Sequence, residues 1–278
     1  MVEQPFGAHS LSGWRARALS MAQSTPKNWG GRRLALALRK LVLKSGHFDA
    51  IDAEVEGVKI RCHMNDNVSE RKFLFTPQFF DVAERDLIAT HLPKDGVFID
   101  IGANAGLYTL WAAKNMGVKG HVYAIEPNPV VRSRLEHNLS YNAFAPHIEI
   151  LPWGVSDAKG HFQLHLDKTN LGGSSLVEGR SHQEGEHIDI ECFPLIDILD
   201  TYKIKKIDML KIDIEGAEAK ALMPFFNGAD RGFWPKYLII ENDPAQWESG
   251  LIDFLTKDDD KYILRETTRM NFILELKT

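Results

Sequence analysis

The chain has 278 residues, 44% hydrophobic and 26% charged, with a net charge of −5. That is the make-up of an ordinary soluble globular protein, long enough for one large α/β domain with an appendage. Its apolar runs fall short of a membrane span and residues 1–30 lack the apolar block of a signal peptide, so a cytoplasmic location is expected. The two cysteines, Cys62 and Cys192, lie in no CxxC or His–Cys cluster, which argues against a disulfide framework or a structural zinc centre. The charge is unevenly spread. Residues 1–46 carry eight Lys/Arg against the single acid Glu3, a balance of +7 that leaves −12 for the remainder. Such a basic arm suits an anionic membrane surface, with a membrane-peripheral location as the consequence. The acidic body would repel a long polyanion, so nucleic acid is an unlikely partner.

In chain order, residues 1–30 mix polar residues with Gly, Ser and Pro and are expected to be poorly ordered or loosely packed. From Arg32 to Lys44, apolar Leu34, Leu36, Leu38, Leu41 and Val42 interleave with bases, which predicts an amphipathic helix. Residues 49–63 alternate as a strand pair turning at Glu56-Gly57. Residues 81–91 read as helix, and Val97-Phe98-Ile99-Asp100 as strand. Helix and strand then alternate: helix 107–115, strand 121–127, helix 129–141, one strand over 148–157, strand 208–214, helix 218–226 and strand 237–242. This pattern predicts a mostly parallel sheet with helices on both faces. Segments 261–268 and 271–277 form a closing antiparallel pair. A β insertion occupies 157–192, with runs HFQLHL and HIDIECF around a Gly/Ser loop, NLGGSS. The expected organisation is a basic arm, helix and strand pair over 1–70, followed by a catalytic domain over 71–278.

The informative segment is Val97–Gly106, VFIDIGANAG. A strand ends in Asp100, and Gly102-Ala103-Asn104-Ala105-Gly106 turns into a helix, a unit that lets backbone N–H groups approach a ligand. Glu126 ends the following strand, where an acid suits the two hydroxyls of a ribose. A nicotinamide dinucleotide is the first rival, but Asp100, two residues before the first glycine, would repel its pyrophosphate. The same acid would accept hydrogen bonds from an α-ammonium, and S-adenosylmethionine carries that group and no phosphate. The absence of GKS or GKT excludes a P-loop. The closing hairpin agrees, since the seven-stranded, Rossmann-like sheet of class I methyltransferases is mostly parallel with a final antiparallel strand.

These motifs resemble the FkbM-type methyltransferases. The matching segments are FIDIGANAGLYTL (98–110), IEPNP (125–129), GVSD (154–157), NLGGSS (170–175) and MLKIDIEGAE (209–218). The resemblance implies O-methylation, often of sugar or polyketide hydroxyls, and leaves the first 70 residues unaccounted for. The expected cofactor site comprises Asp100, Gly102, Ala103, Asn104, Gly106 and Tyr108 around the turn, Glu126 on the ribose, and Val155, Ser156 and Asp157 at the adenine edge.

An alcohol has a pKa far above 7, so its methylation needs a base or a metal. Asp213 and Glu215 end the fourth parallel strand, where ligands of such sheets bind, and Lys211 shares a strand face with Asp213. These three are the catalytic candidates. Asp213, Glu241 and Asn242, on neighbouring strand ends, offer oxygen ligands for Mg²⁺, with a metal-free base as the rival. His161 and His165 on an insertion strand, and Trp153, Trp234 and Trp247, are candidates for contact with the acceptor. The function read from these features is an S-adenosylmethionine-dependent O-methyltransferase acting on a small-molecule or glycan acceptor: a sugar, glycan or glycolipid hydroxyl. The rivals are an N-methyltransferase, a nucleic-acid methyltransferase and a non-catalytic cofactor-binding module. The chain has DIEG where nitrogen acceptors often meet an Asn/Asp-Pro-Pro-aromatic motif.

Overall fold

The computed structural model describes residues 4–176, 186–243, 250–257 and 261–277. Two helices, α1 (Gly13–Gln23) and α2 (Trp29–Lys44), precede a hairpin of β1 (Ala50–Val55) and β2 (Val58–His63), then α3 (Val68–Phe75) and α4 (Val82–His91). The alternating body follows: β3 (Val97–Ile101), α5 (Leu107–Asn115), β4 (His121–Ile125), α6 (Pro129–Ser140) and β5 (His147–Leu151). An insertion holds β6 (Gly154–Val155), β7 (Gly160–His165) and β8 (His187–Phe193). The chain continues through α7 (Leu195–Thr201), β9 (Met209–Ile212), α8 (Glu218–Gly228), β10 (Tyr237–Glu241) and α9 (Leu251–Thr256) to β11 (Tyr262–Thr267) and β12 (Asn271–Leu276).

The main sheet has seven strands in the order β11-β12-β10-β9-β3-β4-β5. Strands β5, β4, β3, β9 and β10 run parallel, while β12 lies antiparallel to both β10 and β11. The sheet is therefore the expected class I methyltransferase sheet, with the reversed strand slotted inside the edge strand rather than at the edge itself.

Burial on both faces makes the central strands near-continuous apolar runs, and successive residues serve opposite layers. Ile99, Ile101, Leu210, Ile212, Leu238 and Ile240 join one core with α7, α8 and α9. Phe98, Met209, Tyr237 and Ile239 join another beneath α4 and α5. By the same alternation Asp100, Lys211, Asp213 and Glu241 continue the α4/α5 face. This face turns polar at its C-terminal end.

Three sequence expectations change. Residues 13–23, expected to be poorly ordered or loosely packed, form α1, which buries the small Ala18 and Ala22 with Leu19 in place of a broad apolar stripe. Segment 148–157 is two strands in two sheets: β5 closes the main sheet, Pro152 removes a ladder donor, and β6 starts the insertion sheet, ordered β6-β8-β7. Residue 70 lies inside α3, whose Phe73, Leu74 and Phe75 share a core with α1, α2, the hairpin and Leu110 of α5. The N-terminal elements are thus packed onto the body.

A buried ion pair fastens the N-terminal strap. Arg61 donates to Asp52 from Nε at 2.7 Å and Nη2 at 3.0 Å, and to the carbonyls of Gln4 and Pro5. Asp52 also accepts from the backbone N–H of Gly7 and His9. Burial would raise the Asp52 pKa, but the Arg61 bonds and the two N–H donors outweigh it and the carboxyl is held below its ordinary value. Its stabilising contribution is therefore present above the ordinary carboxylate range and lost on acidification. Removing one member of such a pair strands the other's charge, so Asp52→Ala is expected to cost about 3–5 kcal/mol at pH 7 in urea unfolding. The difference from wild type should shrink as pH falls below about 4.

Candidate active site

The C-terminal ends of the parallel strands open into two adjoining cavities. A narrow pocket lies between the β3 and β4 ends and the insertion sheet, lined by Gly102, Asn104, Glu126, Trp153, Val155, Leu164, Leu171, Gly172, Asp213 and Glu215 among others. A wider cleft of about 590 Å³ lies on the α4/α5 side, with Tyr108, Asp81, Glu84, Lys211, Asp213, Glu241 and Asn271 in its floor. Gly102, Asn104, Gly172 and Asp213 line both, so the cavities meet there.

Backbone geometry builds the junction. Gly102 has φ +73° and a Cβ there would sit 1.9 Å from the Asp213 carbonyl oxygen, so no other residue fits between the strands. The N–H groups of Gly102 and Ala103 donate to the Ile125 carbonyl. Asn104, at φ +53°, donates its N–H to Glu126 at 2.9 Å, and its side-chain oxygen accepts from the Ala105 N–H and from Asn67 Nδ2, both at 2.7 Å. Gly172 of the Gly/Ser loop lies over Asn104, where a Cβ would come within 2.2 Å of Asn104 Nδ2. The loop is held by Leu171 N–H on the Asp66 carbonyl, Val68 N–H on Asn170, and the Ser175 hydroxyl on the Glu215 carbonyl. It thereby roofs the junction between the two cavities.

Glu126 lines the narrow pocket and accepts only backbone N–H groups in the described contacts, from Asn104 and from Asn128 at 2.8 Å. Burial pushes its carboxyl up to about 7, and the two N–H donors offset only part of that cost. Each oxygen accepts one N–H and keeps a further lone pair, so the buried carboxyl is suited to the paired hydroxyls of a ribose. Of the other residues expected to hold a cofactor, Gly102, Asn104 and Val155 also line this pocket. Ala103 and Tyr108 line the wider cleft instead. Gly106 lines neither; its missing Cβ would come 2.4 Å from Leu135, so it lets α5 pack close to α6. Ser156 is buried on Asp157, and Asp157 faces Lys220 at 3.6 Å, both away from the pocket.

Asp100 is likewise turned from the cavities. The strand register sets it beside Lys211 on β9, and the positive charge near it is this lysine, 4.0 Å away. One oxygen accepts from Thr109 at 2.6 Å and the other has no hydrogen bond. Burial raises the Asp100 pKa against the pull of Lys211 and Thr109. Lys211 is itself buried, 3.2 Å from Asp213 and 5.1 Å from the Tyr108 ring centre. Desolvation would lower the ammonium's pKa, but Asp213 and Asp100 outweigh it and it is raised, so the lysine stays charged.

Glu215, at φ +57°, and Gly216, at φ +99°, make the turn after β9. Buried Glu218 accepts the N–H groups of Ile214 and Gly216 at 2.7 and 3.0 Å and fixes that turn. Carboxylate oxygens of Asp213, Glu215 and Glu241 lie within 4.8 Å of one another, a set able to hold a divalent cation. Asn242 lines neither cavity; its amide nitrogen donates to the Thr268 carbonyl at 2.9 Å and ties β10 to the closing hairpin. His161 and His165 alternate with Leu164, the β7 residue that lines the narrow pocket, and so face away from it. Trp153 lines the same pocket against Phe193, whereas Trp234 packs on Phe226 and Tyr262 far from it; Trp247 lies outside the described residues.

Two groups in the site carry no sequence signal. Asn67 reaches Asn104 from 37 positions away. Asp81, at φ +41°, accepts from the Tyr108 hydroxyl at 3.0 Å, and Asn271 donates to that hydroxyl at 3.3 Å. Burial and the neighbouring Glu84 push Asp81 up to about 6.

This combination of cradle, buried ribose-type acid and strand-end carboxylates coincides with a known domain. The methyltransferase FkbM domain model matches residues 100–274. The chain belongs to the FkbM methyltransferase family. It is 28% identical to methyltransferase sdnD of Sordaria araneosa over 228 residues, 70% of this chain and 82% of that protein. It is also 28% identical to 31-O-demethyl-FK506 methyltransferase FkbM of Streptomyces tacrolimicus, covering 61% of this chain and 73% of that one. The hexuronic acid methyltransferase AglP of Haloferax volcanii is 26% identical, over 51% of this chain and 54% of its own. Among solved structures, a methyltransferase from Geobacter sulfurreducens aligns over 96% of this chain and 98% of its own, with TM-score 0.44 and 12% identity. No helix among the described residues is long and apolar enough to cross a membrane.

Glu126 also gives a stability test. Its folded pKa of about 7 lies above the usual carboxylate range, so ionising it in place costs stability as pH rises towards and through 7. Glu126→Gln lacks that cost. The Tm difference between variant and wild type should move in favour of the variant from pH 5 to pH 8; a constant difference would mean that the carboxyl ionises normally in the fold.

Proposed function

We propose that this FkbM-family chain transfers a methyl group from S-adenosylmethionine to a hydroxyl of a small-molecule or glycan acceptor. The observation that carries the reading is the meeting of two cavities at Asp213, one suited to a nucleoside with an amino-acid tail and the other open for an acceptor. The residues fit the donor on two counts: Glu126 presents a buried carboxylate, and Gly102 and Gly172 keep the cradle clear of side chains. Bound there, S-adenosylmethionine supplies an electrophilic methyl group on a sulfonium.

The chain's own residues then have three tasks. Glu126, Gly102, Asn104 and Val155 hold the donor, and the Gly/Ser loop roofs the junction and limits water. Tyr108, Asp81 and Asn271 shape the acceptor end of the cleft. Asp213, partly exposed on both cavities, takes the hydroxyl proton as the oxygen attacks, and the Lys211 ammonium 3.2 Å away orients its carboxyl. Because the donor is already activated, most of the acceleration comes from positioning. A concave cleft of this size favours a small acceptor over a long polymer. Lys211 already supplies the positive charge beside Asp213, which favours the metal-free base over a cation held by Asp213, Glu215 and Glu241.

Asp213→Asn should lower kcat by roughly 10²–10⁴-fold while leaving the Kd for S-adenosylhomocysteine within a few-fold of wild type. A large loss of affinity with unchanged turnover would reassign Asp213 to donor binding. Turnover should also survive dialysis against EDTA. Loss restored by Mg²⁺ would give the three acids to a metal.

A further inference from the structure

The wider cleft is lined by side chains of both charges, grouped by the elements that carry them. Its floor carries Asp81, Glu84, Asp213 and Glu241, with Lys211 committed to Asp213. Its outer wall comes from the N-terminal elements. Arg32, Leu36 and Arg39 stand at i, i+4 and i+7 on α2 and so share one helix face. Lys72 of α3 and Arg269 of the closing hairpin add two more cations to the wall.

None of Arg32, Arg39, Lys72 and Arg269 has an ion pair or side-chain hydrogen bond among the described residues. This sets them apart from Arg61, Arg85, Arg134 and Arg265, which are all bonded to carboxylates. Arg39 is half-buried, and its pKa is lowered first by burial and then by repulsion from Arg71. Cations crowded on one cavity wall without an acid are poised for an anion from outside the chain. Arg32, Arg39 and Lys72 also precede residues 100–274, so three of the four cations come from sequence outside the matched family domain.

We infer that the acceptor is a phosphate ester, with its phosphate held by Arg32, Arg39 and Lys72 at the outer wall and its reacting hydroxyl directed to Asp213 in the floor. The inference rests on the methyltransferase reading and names the substrate class for the same site. A phosphate anion matches several guanidinium and ammonium donors, and arginine's planar fork suits phosphate oxygens. The acidic floor excludes the reverse orientation by like-charge repulsion. Phosphate recognition thereby selects the hydroxyl compound and fixes which end reaches the methyl donor. The ester arrives either on a soluble molecule or on a lipid headgroup; Trp29, 73% exposed and on the same side of α2 as Arg32 and Leu36, suits the second source.

The test uses the full chain. Inorganic phosphate is titrated by ³¹P line broadening, and vesicles of phosphatidylcholine with or without phosphatidylglycerol are used in flotation; S-adenosylhomocysteine binding is measured in parallel by calorimetry. Phosphate binding by the wild type, weakened at least tenfold by Arg39→Gln and by Arg32→Gln but not by Arg33→Gln, is the expected result. Arg33 lies on the same helix, stacked on Trp29 and outside the cleft lining. Flotation only with phosphatidylglycerol, with the same variant pattern, assigns the lipid source; phosphate binding without flotation assigns the soluble one. Absence of both, or equal weakening by Arg33→Gln, overturns the inference while intact S-adenosylhomocysteine binding leaves the methyltransferase reading standing. Loss of S-adenosylhomocysteine binding in the wild type would instead count against that reading.

Discussion

The site is organised around a single buried cation. Lys211 lies in the middle of the main sheet, in register with Asp100 on one neighbouring strand and Ile239 on the other. An ammonium without water in that position would be costly, and a lone carboxylate in place of Asp100 equally so. The two are compatible only together, and Asp213 adds the second negative charge that keeps the lysine protonated. The strands must therefore be held in this register for the site to exist. Gly102 helps hold it, because its missing Cβ lets the β3 turn sit against the Asp213 carbonyl.

From that row the two cavities follow. Strand alternation sends Lys211, Asp213 and Glu241 to the face covered by α4 and α5, where Tyr108 and Asp81 wait, and sends their apolar neighbours into the opposite core. The other side of the junction is closed by the insertion sheet and the Gly/Ser loop, whose anchors lie at Asp66, Val68 and Glu215. The N-terminal helices, packed on the body through Phe73, Phe75 and Leu110, are thus part of the wall of the wider cleft. The basic arm that stands out in the composition has its arginines at a cavity.

Legibility in the sequence followed the range of the interaction. The alternation of strands and helices, the glycine turn and Glu126 are set by local patterning, and the structure places them as the residues imply. A charge argument points Asp100 at a ligand ammonium, yet the fold supplies an ammonium of its own, Lys211. The sequence contains Lys211 but says nothing of which strand lies beside β3. Asn242 and the histidines of β7 line neither cavity for a related reason: adjacency along the chain does not say which way a side chain points once pairing and loop direction are fixed.

By itself, then, the sequence determined the class of fold, the glycine turn, the acid that ends β4 and the family, because each is encoded within a few residues and repeats with the period of its element. Tertiary structure alone decided that Lys211 neutralises Asp100, that Asn67 and the Gly/Ser loop roof the junction, and that Arg32 and Arg39 face a cleft. Those depend on the order of strands in the sheet and on contacts between segments tens to more than a hundred residues apart. Packing brings them together to bury apolar surface and to leave no buried charge alone.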